Sequence, residues 1–386
     1  MFASSLSRAL RATDRHIPLG RTVRGAVTLA CALGIAPRLD PVAGLVCVAG
    51  AIWGINADHS GPHRERFARL AAVMAAGAAG VLLGCQFHDS AWGQIVTLAV
   101  SGLVAGLLTG FGATGQVAGL ALTVMAAIGC GVEGALPAWS CAADYLLGCL
   151  PMAVMAVAAA CAVRVPEPDG NARVTGVCRW RWVRSIRQAG CMGVAGGVAL
   201  ALHPEHSFWL PLTTAMVFRV DDPCLLRRAG SRFFGTVLGL GISLALVATV
   251  PDGWALVLVA ALVGALTPKL TELSYALHTA LITVVILGLV RPVSEGGGPL
   301  FSARLLDTAL ACLLAVIFGY VLWPHGPRPD VASHGLPSGT RPAAPAAGGE
   351  RPLEDRECAV AVDRVEDRGS AAAADGTCEP SEGRSR

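Results

Sequence analysis

The fold class is decided by the stretch AWGQIVTLAVSGLVAGLLTGFGATGQVAGLALTVMAAIGCG, residues 91–131, which contains no charged residue. A helix needs about 20 apolar residues to cross the roughly 30 Å hydrocarbon core of a bilayer. Residues 91–110 and 115–132 each approach that length, and the glycine-rich residues 110–115 separate them. The stretch therefore predicts two membrane-spanning helices joined by a short turn.

The composition of the whole chain agrees with this interpretation. Of the 386 residues, 54% are hydrophobic and 15% are charged, and the mean hydropathy is +0.58. Soluble domains carry roughly 25% charged residues, so a soluble fold of this size would be unable to bury so much apolar surface. The net charge of +3 gives no indication of a nucleic-acid partner. We therefore expect an integral membrane protein whose immediate partner is the lipid bilayer.

Apolar runs divide the chain into about twelve predicted transmembrane helices of an all-α membrane protein. They lie at residues 22–37, 41–57, 70–87, 91–110, 115–132, 141–163, 186–202, 207–220, 233–250, 253–268, 271–290 and 304–323. Four runs are shorter than the rest, namely 22–37, 41–57, 186–202 and 207–220. Each short pair is separated by a proline-bearing break, so these runs are either thin spans or broken half-helices.

Arginine and lysine residues are distributed asymmetrically among the connections. Nineteen fall on the side of the N-terminus, and three, Arg38, Arg291 and Arg304, fall on the other side. Because positively charged loops stay in the cytosol, both termini are predicted to be cytosolic. Residues 1–20 lack the apolar core of a signal peptide and are expected to form a cytosolic N-terminal segment. Residues 325–386, rich in Pro, Ala, Gly, Arg and Glu, predict a disordered cytosolic tail.

Charged residues also indicate an internal repeat with a shift of 163 positions. The shift superimposes Arg21 on Arg184, Arg24 on Arg187, Gly34 on Gly197, Asp58 on Asp221, Arg64 on Arg227, Arg69 on Arg232, Asp144 on Asp307 and Cys149 on Cys312. Charged residues are rare in this chain, so duplication explains the coincidence better than chance does. Because each unit has an even number of spans, we expect two parallel six-helix repeats, 21–163 and 184–324, joined by a cytosolic linker over 164–183.

The stretch 203–241 holds the densest set of candidate ligand contacts. The candidates are Trp209, Thr213, Thr214 and Arg232. Pro211 frees a backbone carbonyl, and the threonine hydroxyls can satisfy that carbonyl or bind a ligand. Arg232 is expected at a cytosolic helix end, where it pairs with Asp221 or Asp222 or attracts an anion. The alternative for each candidate is topological anchoring or ordinary helix packing.

Ionisable residues inside predicted spans form a second set of candidates, because a charge within a bilayer is costly. They are His278, Arg304, Asp144 and Asp307. Arg304 lies three residues before Asp307, so the two can form a buried ion pair, and its guanidinium also suits a carboxylate ligand. Asp144 and Asp307 are candidates for proton coupling or gating. His278 is a candidate pathway residue or a hydrogen-bonded packing residue.

The chain resembles the fusaric acid resistance protein-like (FUSC) family of bacterial inner-membrane proteins. The resemblance rests on the order of Trp209, a threonine-rich short segment, an aspartate turn and the helix start RFFGT at residues 232–236. It is clearest over residues 184–324 and weaker over 21–163. The family is related to aromatic acid exporters and to plant aluminium-activated malate channels. The resemblance implies export of small organic anions, such as aromatic carboxylic acids, across a bacterial inner membrane.

Three classes of function remain open. They are a secondary exporter, with or without proton coupling, an anion channel, and a membrane assembly partner without transport of its own. A homo-oligomer and a periplasmic adaptor remain open as further partners. The chain is not expected to be an enzyme, and no catalytic residue, cofactor or metal ligand is predicted. Residues Gly110–Gly115 match the dinucleotide-binding motif in sequence only, because they join two membrane spans instead of a strand and a helix. The thirteen cysteines include no C-x-x-C pair and are interpreted as packing residues.

Overall fold

The computed structural model describes residues 19–59, 62–131, 137–162, 179–202, 208–219, 224–249, 259, 262, 263, 266, 274–290 and 297–322. These residues all lie within one compact unit, Met1–Gly326. Most of the predicted segments 1–20 and 164–183 falls outside the described residues, as does the whole of the predicted tail 325–386.

The described parts of the chain form α-helices and short turns, without a strand among them. The helices are α1 Leu19–Ile35, α2 Pro41–Ala57, α3 His63–Gln86, α4 Ala91–Leu108, α5 Gly112–Cys130, α6 Ala138–Ala162, α7 Arg179–Leu202, α8 Trp209–Val217, α9 Leu225–Thr249, α10 Tyr275–Val290 and α11 Gly297–Val316. A π-helical turn over Ile317–Val321 extends α11. The predicted all-α fold is confirmed for these ranges.

Five helical stretches of the described chain are long and apolar enough to cross a bilayer. They are His63–Gln86, Ala91–Cys130, Ala138–Cys161, Trp182–Leu202 and Ser302–Val321. The apolar helices Pro41–Ala57 and Tyr275–Leu287 are shorter. The chain is therefore a multi-pass membrane protein, as predicted. The number of twelve spans stays a prediction, because most of the tenth predicted segment, 253–268, lies outside the described residues.

The apolar stretch Ala91–Cys130 is 40 residues long and folds as two helices. The chain turns at Gly112, whose φ of 70° lies in the left-handed region that glycine adopts without steric cost. The helices α4 and α5 then pack side by side, and the Thr123 hydroxyl donates a hydrogen bond of 3.4 Å to the Ser101 carbonyl. A straight helix of 40 residues would be about 60 Å long, twice the hydrocarbon thickness. The predicted division of this stretch into two helices is confirmed.

Close contacts between neighbouring helices depend on glycine in both parts of the bundle. A side chain at Gly80 or Gly84 of α3 would collide with carbonyl groups of α5. A side chain at Gly235 or Gly239 of α9 would collide with carbonyl groups of α10. In lipid, helices associate mainly through packing and hydrogen bonds, so backbones that approach closely stabilise these pairs.

The helix bounds recur at the 163-residue shift found in the sequence. Shifted by 163, α3 covers 226–249, and α9 covers Leu225–Thr249. Shifted likewise, α5 covers 275–293, and α10 covers Tyr275–Val290. The neighbours also correspond, since α3 packs against α5 and α6, and α9 packs against α10 and α11. This correspondence is what the predicted duplication requires.

We call α1–α6 the first helix group and α7–α11 the second helix group. Among the described residues the most extensive packing between the groups is that of α4 along α7 and of α5 against α8. At the first contact, a side chain at Gly102 or Gly106 would collide with residues of α7. The groups are therefore held together by the same kind of close backbone approach that holds neighbouring helices within each group.

Candidate functional site

The short helix α8 packs against α5, α7, α9 and α11. It has 9 residues, so it rises only about 14 Å and is too short to cross a bilayer alone. Almost all of its side chains are buried, including those of Thr213 and Thr214. A short, buried helix that carries polar groups within a bundle is typical of ligand sites in membrane transporters.

Arg304 of α11 is the best-defined polar residue beside α8. Arg304 is only 3% exposed, and the central carbon of its guanidinium lies 4.2 Å from the centre of the Trp209 ring. Its Nη1 donates a hydrogen bond of 3.2 Å to the Thr213 hydroxyl. A cation this close to an indole face is held by the ring quadrupole. Trp209 and Thr213 thus fix the plane and the orientation of the Arg304 guanidinium.

Arg232 of α9 is also buried, at 2% exposure. Its Nη1 lies 3.4 Å from the Thr279 hydroxyl of α10 and donates a long hydrogen bond to it. The positive charge of Arg232 acts on both Arg304 and His278, so the three side chains share one region. The prediction that Arg232 sits at a helix end is wrong, because Arg232 lies two turns into α9 and faces the helix bundle. Its predicted partners Asp221 and Asp222 lie outside the described residues.

Asp307 is the acidic residue that the described part of the chain places in this region. It is 2% exposed, lies one turn beyond Arg304 on α11, and its negative charge acts on Arg304. Among the described side chains of the region, two guanidinium groups therefore face one carboxylate. The excess of positive charge attracts an anion, and the low dielectric of a buried site strengthens that attraction.

Three buried nitrogen atoms of Trp209, Arg232 and His278, beside α8 and α9, have no hydrogen-bond partner among the described residues. They are the Trp209 Nε1, the Arg232 Nε and the His278 Nδ1. A buried donor left without a partner costs about 1–3 kcal/mol, so a partner such as water or a polar ligand is expected. The indole nitrogen and the guanidinium nitrogen can only donate, which favours an acceptor such as a carboxylate.

Two predicted site residues have other partners. The Thr214 hydroxyl donates a hydrogen bond of 2.9 Å to the Leu210 carbonyl, one turn back along α8. This is the backbone-satisfying role that the sequence left open for the threonines. Asp144 lies on α6 in the first helix group, where the charge of Asp40 acts on it. The structure therefore brings together Trp209, Thr213, Arg232, His278, Arg304 and Asp307, and places Thr214 and Asp144 in different surroundings.

Sequence reasoning missed Thr279 and the role of Arg187. Thr279 accepts the hydrogen bond from Arg232 and is itself fully buried. Arg187, which was noted only for its coincidence with Arg24, is 7% exposed, and its Nη2 donates hydrogen bonds of 3.1 Å to the Phe318 and Gly319 carbonyls. The available signals were weak: Thr279 and Thr283 are spaced one helical turn apart, and the repeat aligns Arg187 with Arg24. Both contacts depend on which helices are neighbours.

The whole buried polar cluster, from Trp209 to Asp307, falls within a segment that matches a family model. Residues 194–318 match the model described as fusaric acid resistance protein-like. The predicted resemblance is thus confirmed over residues 194–318, and similarity to the fusaric acid resistance protein-like family indicates a role related to membrane transport or efflux.

The chain also matches one curated relative, whose name adds nothing to this functional indication. The chain is 30% identical over 145 residues to the uncharacterized protein YhfK of Escherichia coli (strain K12). That match covers 36% of this chain and 20% of YhfK, so the chain spans about a fifth of the length of the relative. No solved structure matches the chain.

Proposed function

We propose that this protein exports small organic anions, in particular aromatic carboxylic acids, across a bacterial inner membrane. The observation that supports this proposal best is the buried pair Arg232 and Arg304, whose combined charge exceeds that of Asp307. A buried positive excess within a membrane bundle is costly unless an anion compensates it. Transport of an anion would explain this charge arrangement, whereas helix packing alone would not.

The chemistry of the site fits a carboxylate attached to a ring. A guanidinium binds a carboxylate through two parallel N–H···O bonds. Arg304 already presents one face to Trp209 and one N–H to Thr213, so its orientation is set before a ligand arrives. The indole N–H of Trp209 and the Nε of Arg232 are further buried donors for ligand oxygens. An aromatic ring on the ligand would find apolar and aromatic surface along the helices.

The architecture that we propose has twelve spans arranged as two parallel six-helix repeats, with both termini in the cytosol. The recurring helix bounds and the recurring helix neighbours support the duplication. The excess of arginine in the predicted inner connections supports the orientation. In such a protein the path for the ligand runs where the repeats meet, and the contact of α5 with α8 lies beside Thr213 and Trp209.

Export against a gradient requires an energy source, and we propose the proton gradient. Asp307 is buried beside Arg304, so protonation of its carboxylate would raise the net positive charge of the site and strengthen its hold on an anion. His278 lies within the reach of the Arg232 charge and is the second group able to change protonation there. Asp144 is the corresponding carboxylate of the first repeat and a further coupling candidate.

Efflux measurements test the proposal. Cells that produce the intact protein, Arg304→Ala or Arg227→Ala are loaded with a panel of aromatic carboxylic acids, and efflux is followed with the proton gradient present and collapsed. Arg227 is the matched control, because it is an exposed arginine of α9 in the same helix group. We expect gradient-dependent efflux that Arg304→Ala abolishes and Arg227→Ala preserves.

The other outcomes decide between the alternatives. Anion flux that persists without the gradient and disappears in Arg304→Ala would replace the exporter by an anion channel. Efflux equal to that of cells without the protein, for every acid in the panel, would contradict transport and favour the role of a membrane assembly partner. The amount of each variant in the membrane fraction is measured in parallel, so that poor production is not taken for lost transport.

A further inference from the structure

A second cluster of charged side chains lies in the first helix group, where α1 and α3 begin and α2 ends. We call it the Asp58 cluster, and its members are Arg21, Arg24, Asp58, His59, Arg66 and Arg69. It is separate from the export site proposed above and lies outside the segment that matches the family model. By the predicted orientation it faces the cytosol.

Each carboxylate oxygen of Asp58 lies within hydrogen-bond distance of one arginine. The Arg24 Nε and Nη2 lie 3.0 and 2.8 Å from its Oδ2, and the Arg66 Nε and Nη2 lie 3.2 and 3.0 Å from its Oδ1. These three side chains are well buried, at 6% exposure for Asp58, 14% for Arg24 and 10% for Arg66. Arg21 bonds the same residue differently, because its Nη2 donates 3.0 Å to the Asp58 backbone carbonyl.

Positive charge exceeds negative charge in this cluster. Four guanidinium groups act on Asp58, and the next carboxylate, Glu65, lies 3.9 Å from the His59 ring with its side chain 60% exposed. Even with Glu65 counted, the described members of the cluster comprise four positive charges and two negative ones. Burial, and after it the charge of Arg69, lowers the pKa of His59, which therefore stays neutral near pH 7 and adds no further charge.

Arg69 is the member best placed to hold a further anion. Its side chain is half-buried, and its Nε is buried without a hydrogen-bond partner among the described residues. The charge of Arg21 acts on it unfavourably, so the two guanidinium groups are held close in spite of their repulsion. The helix α3 also begins here at His63, and no side chain caps its first amide groups. Uncapped amide groups at a helix start favour an anion as well.

We propose that the Asp58 cluster binds a phosphate group, supplied either by the headgroup of an anionic lipid or by free phosphate. Arginines bind phosphate oxygens through paired N–H donors, and a phosphate group would supply an acceptor for the Arg69 Nε. Its negative charge would offset the excess of the four guanidinium groups. The cytosolic leaflet carries anionic lipids, so a headgroup of this chemistry is present at the predicted depth of the cluster.

Thermal unfolding of the full chain in detergent, followed by tryptophan fluorescence, tests this binding. Inorganic phosphate and dihexanoyl phosphatidylglycerol are titrated separately at constant ionic strength, with dihexanoyl phosphatidylcholine as the lipid without net charge. The variants are Arg69→Gln and the control Arg64→Gln, an exposed arginine of the same helix five residues earlier. Both variants remove one positive charge, so the control corrects for general electrostatics.

A saturable rise of the unfolding midpoint with phosphate or phosphatidylglycerol is expected, but not with phosphatidylcholine. Arg69→Gln weakens the apparent affinity roughly tenfold, the size expected for a lost charge-assisted hydrogen bond, whereas Arg64→Gln changes it by less than about twofold. Saturation by phosphatidylglycerol alone identifies a lipid headgroup as the source. Saturation by inorganic phosphate, without a further rise from the lipid, identifies free phosphate.

Two results would overturn the proposal: equal weakening by Arg64→Gln and Arg69→Gln, or no saturable response of the native protein to either probe. If Arg69→Gln is not recovered in folded form, Arg69→Lys takes its place. Lysine keeps the charge and loses the fork, so the apparent affinity should fall to an intermediate value. An affinity unchanged by Arg69→Lys would count against a site built on Arg69.

Discussion

The two helix groups place different side chains at matching positions. Position 141 of the first group is a fully buried cysteine, and position 304, 163 residues later, is a buried arginine. In the same way, Val46 of the first group corresponds to Trp209 of the second. Similar helix arrangements thus enclose an apolar core in the first group and a cationic polar cluster in the second.

Arginine itself is used differently in the two groups. Arg69 lies half-buried in the Asp58 cluster, whereas its counterpart Arg232 is 2% exposed and faces Thr279. The difference teaches that helix bounds and neighbours alone leave the position of the ligand site undetermined. A few substitutions on a common framework, such as cysteine against arginine at positions 141 and 304, separate an apolar core from the proposed ligand site.

The strongest test of this comparison replaces the two matching residues one at a time. Arg304→Ala should lower the initial efflux rate roughly tenfold or more, because a charge-assisted hydrogen bond contributes about 1.5–3 kcal/mol. Cys141→Ala should leave the rate unchanged, since it removes only a buried thiol. Rates are normalised to the amount of protein in the membrane. Equal losses in both variants would show that the two groups contribute alike to transport.

Helix packing should respond alike in both groups. Gly235→Ala forces a methyl group against the Ala276 carbonyl of α10 and should destabilise the protein by about 1–3 kcal/mol, seen as a lower unfolding midpoint. Gly80→Ala should have a similar effect in the first group, where the Leu122 carbonyl is in the way. Gly241→Ala is the control, because no atom lies within 4 Å of the added carbon. Unchanged midpoints for the first two variants would contradict the close packing.

The two threonines of α8 have different partners, so replacing each one distinguishes the orientation of Arg304 from the structure of the helix. Thr213→Val removes the acceptor of the Arg304 hydrogen bond, so efflux should fall severalfold, in line with a contribution of about 1 kcal/mol. Thr214→Val removes a hydroxyl that bonds only the Leu210 carbonyl within α8, so efflux should stay near that of the native protein. The comparison uses initial rates over a range of substrate concentrations. A larger loss in Thr214→Val would mean that α8 presents its other face to the ligand.

The smallest expected effect concerns acid stability in the first group. Burial, and after it the charge of Arg69, lowers the pKa of His59. The unfolded chain therefore binds more protons at His59 than the folded chain does, and stability is lost as the pH falls through about 6.5. His59→Gln should reduce the drop in the unfolding midpoint between about pH 7.5 and pH 5.5. An identical drop in both proteins would assign the acid sensitivity to other groups.

Much of the framework was predictable from sequence because charge is so rare in this chain. The lack of charge over residues 91–131 predicted two helices, and the repeated positions of Arg69 and Arg232 indicated the 163-residue shift at which α3 and α9 correspond. The family resemblance over 184–324 was also predicted, and the match at 194–318 confirms it. These features depend on local composition and order, which a single sequence contains.

The contacts within the site were less predictable because they depend on the rotation of each helix. Arg304 was singled out as a candidate from its sequence position, but its stacking on Trp209 requires α11 to pack beside α8. Arg232 was expected near the cytosol, and the packing of α9 against α10 directs it to Thr279 instead. Threonines 213 and 214 are neighbours in sequence, yet a helix points adjacent side chains about 100° apart, so only the first meets Arg304.

The glycine turn between α4 and α5 has a consequence for the whole protein. At Gly112 a single backbone angle, φ of 70°, separates two antiparallel helices from one rod of 40 residues. Each reversal changes the parity of the crossings, and parity determines the side of the membrane on which every later loop emerges. If the turn failed, the arginines of α7 and α9 would be presented to the opposite compartment. The side of the membrane on which the loops of the second helix group emerge thus depends on the turn at Gly112.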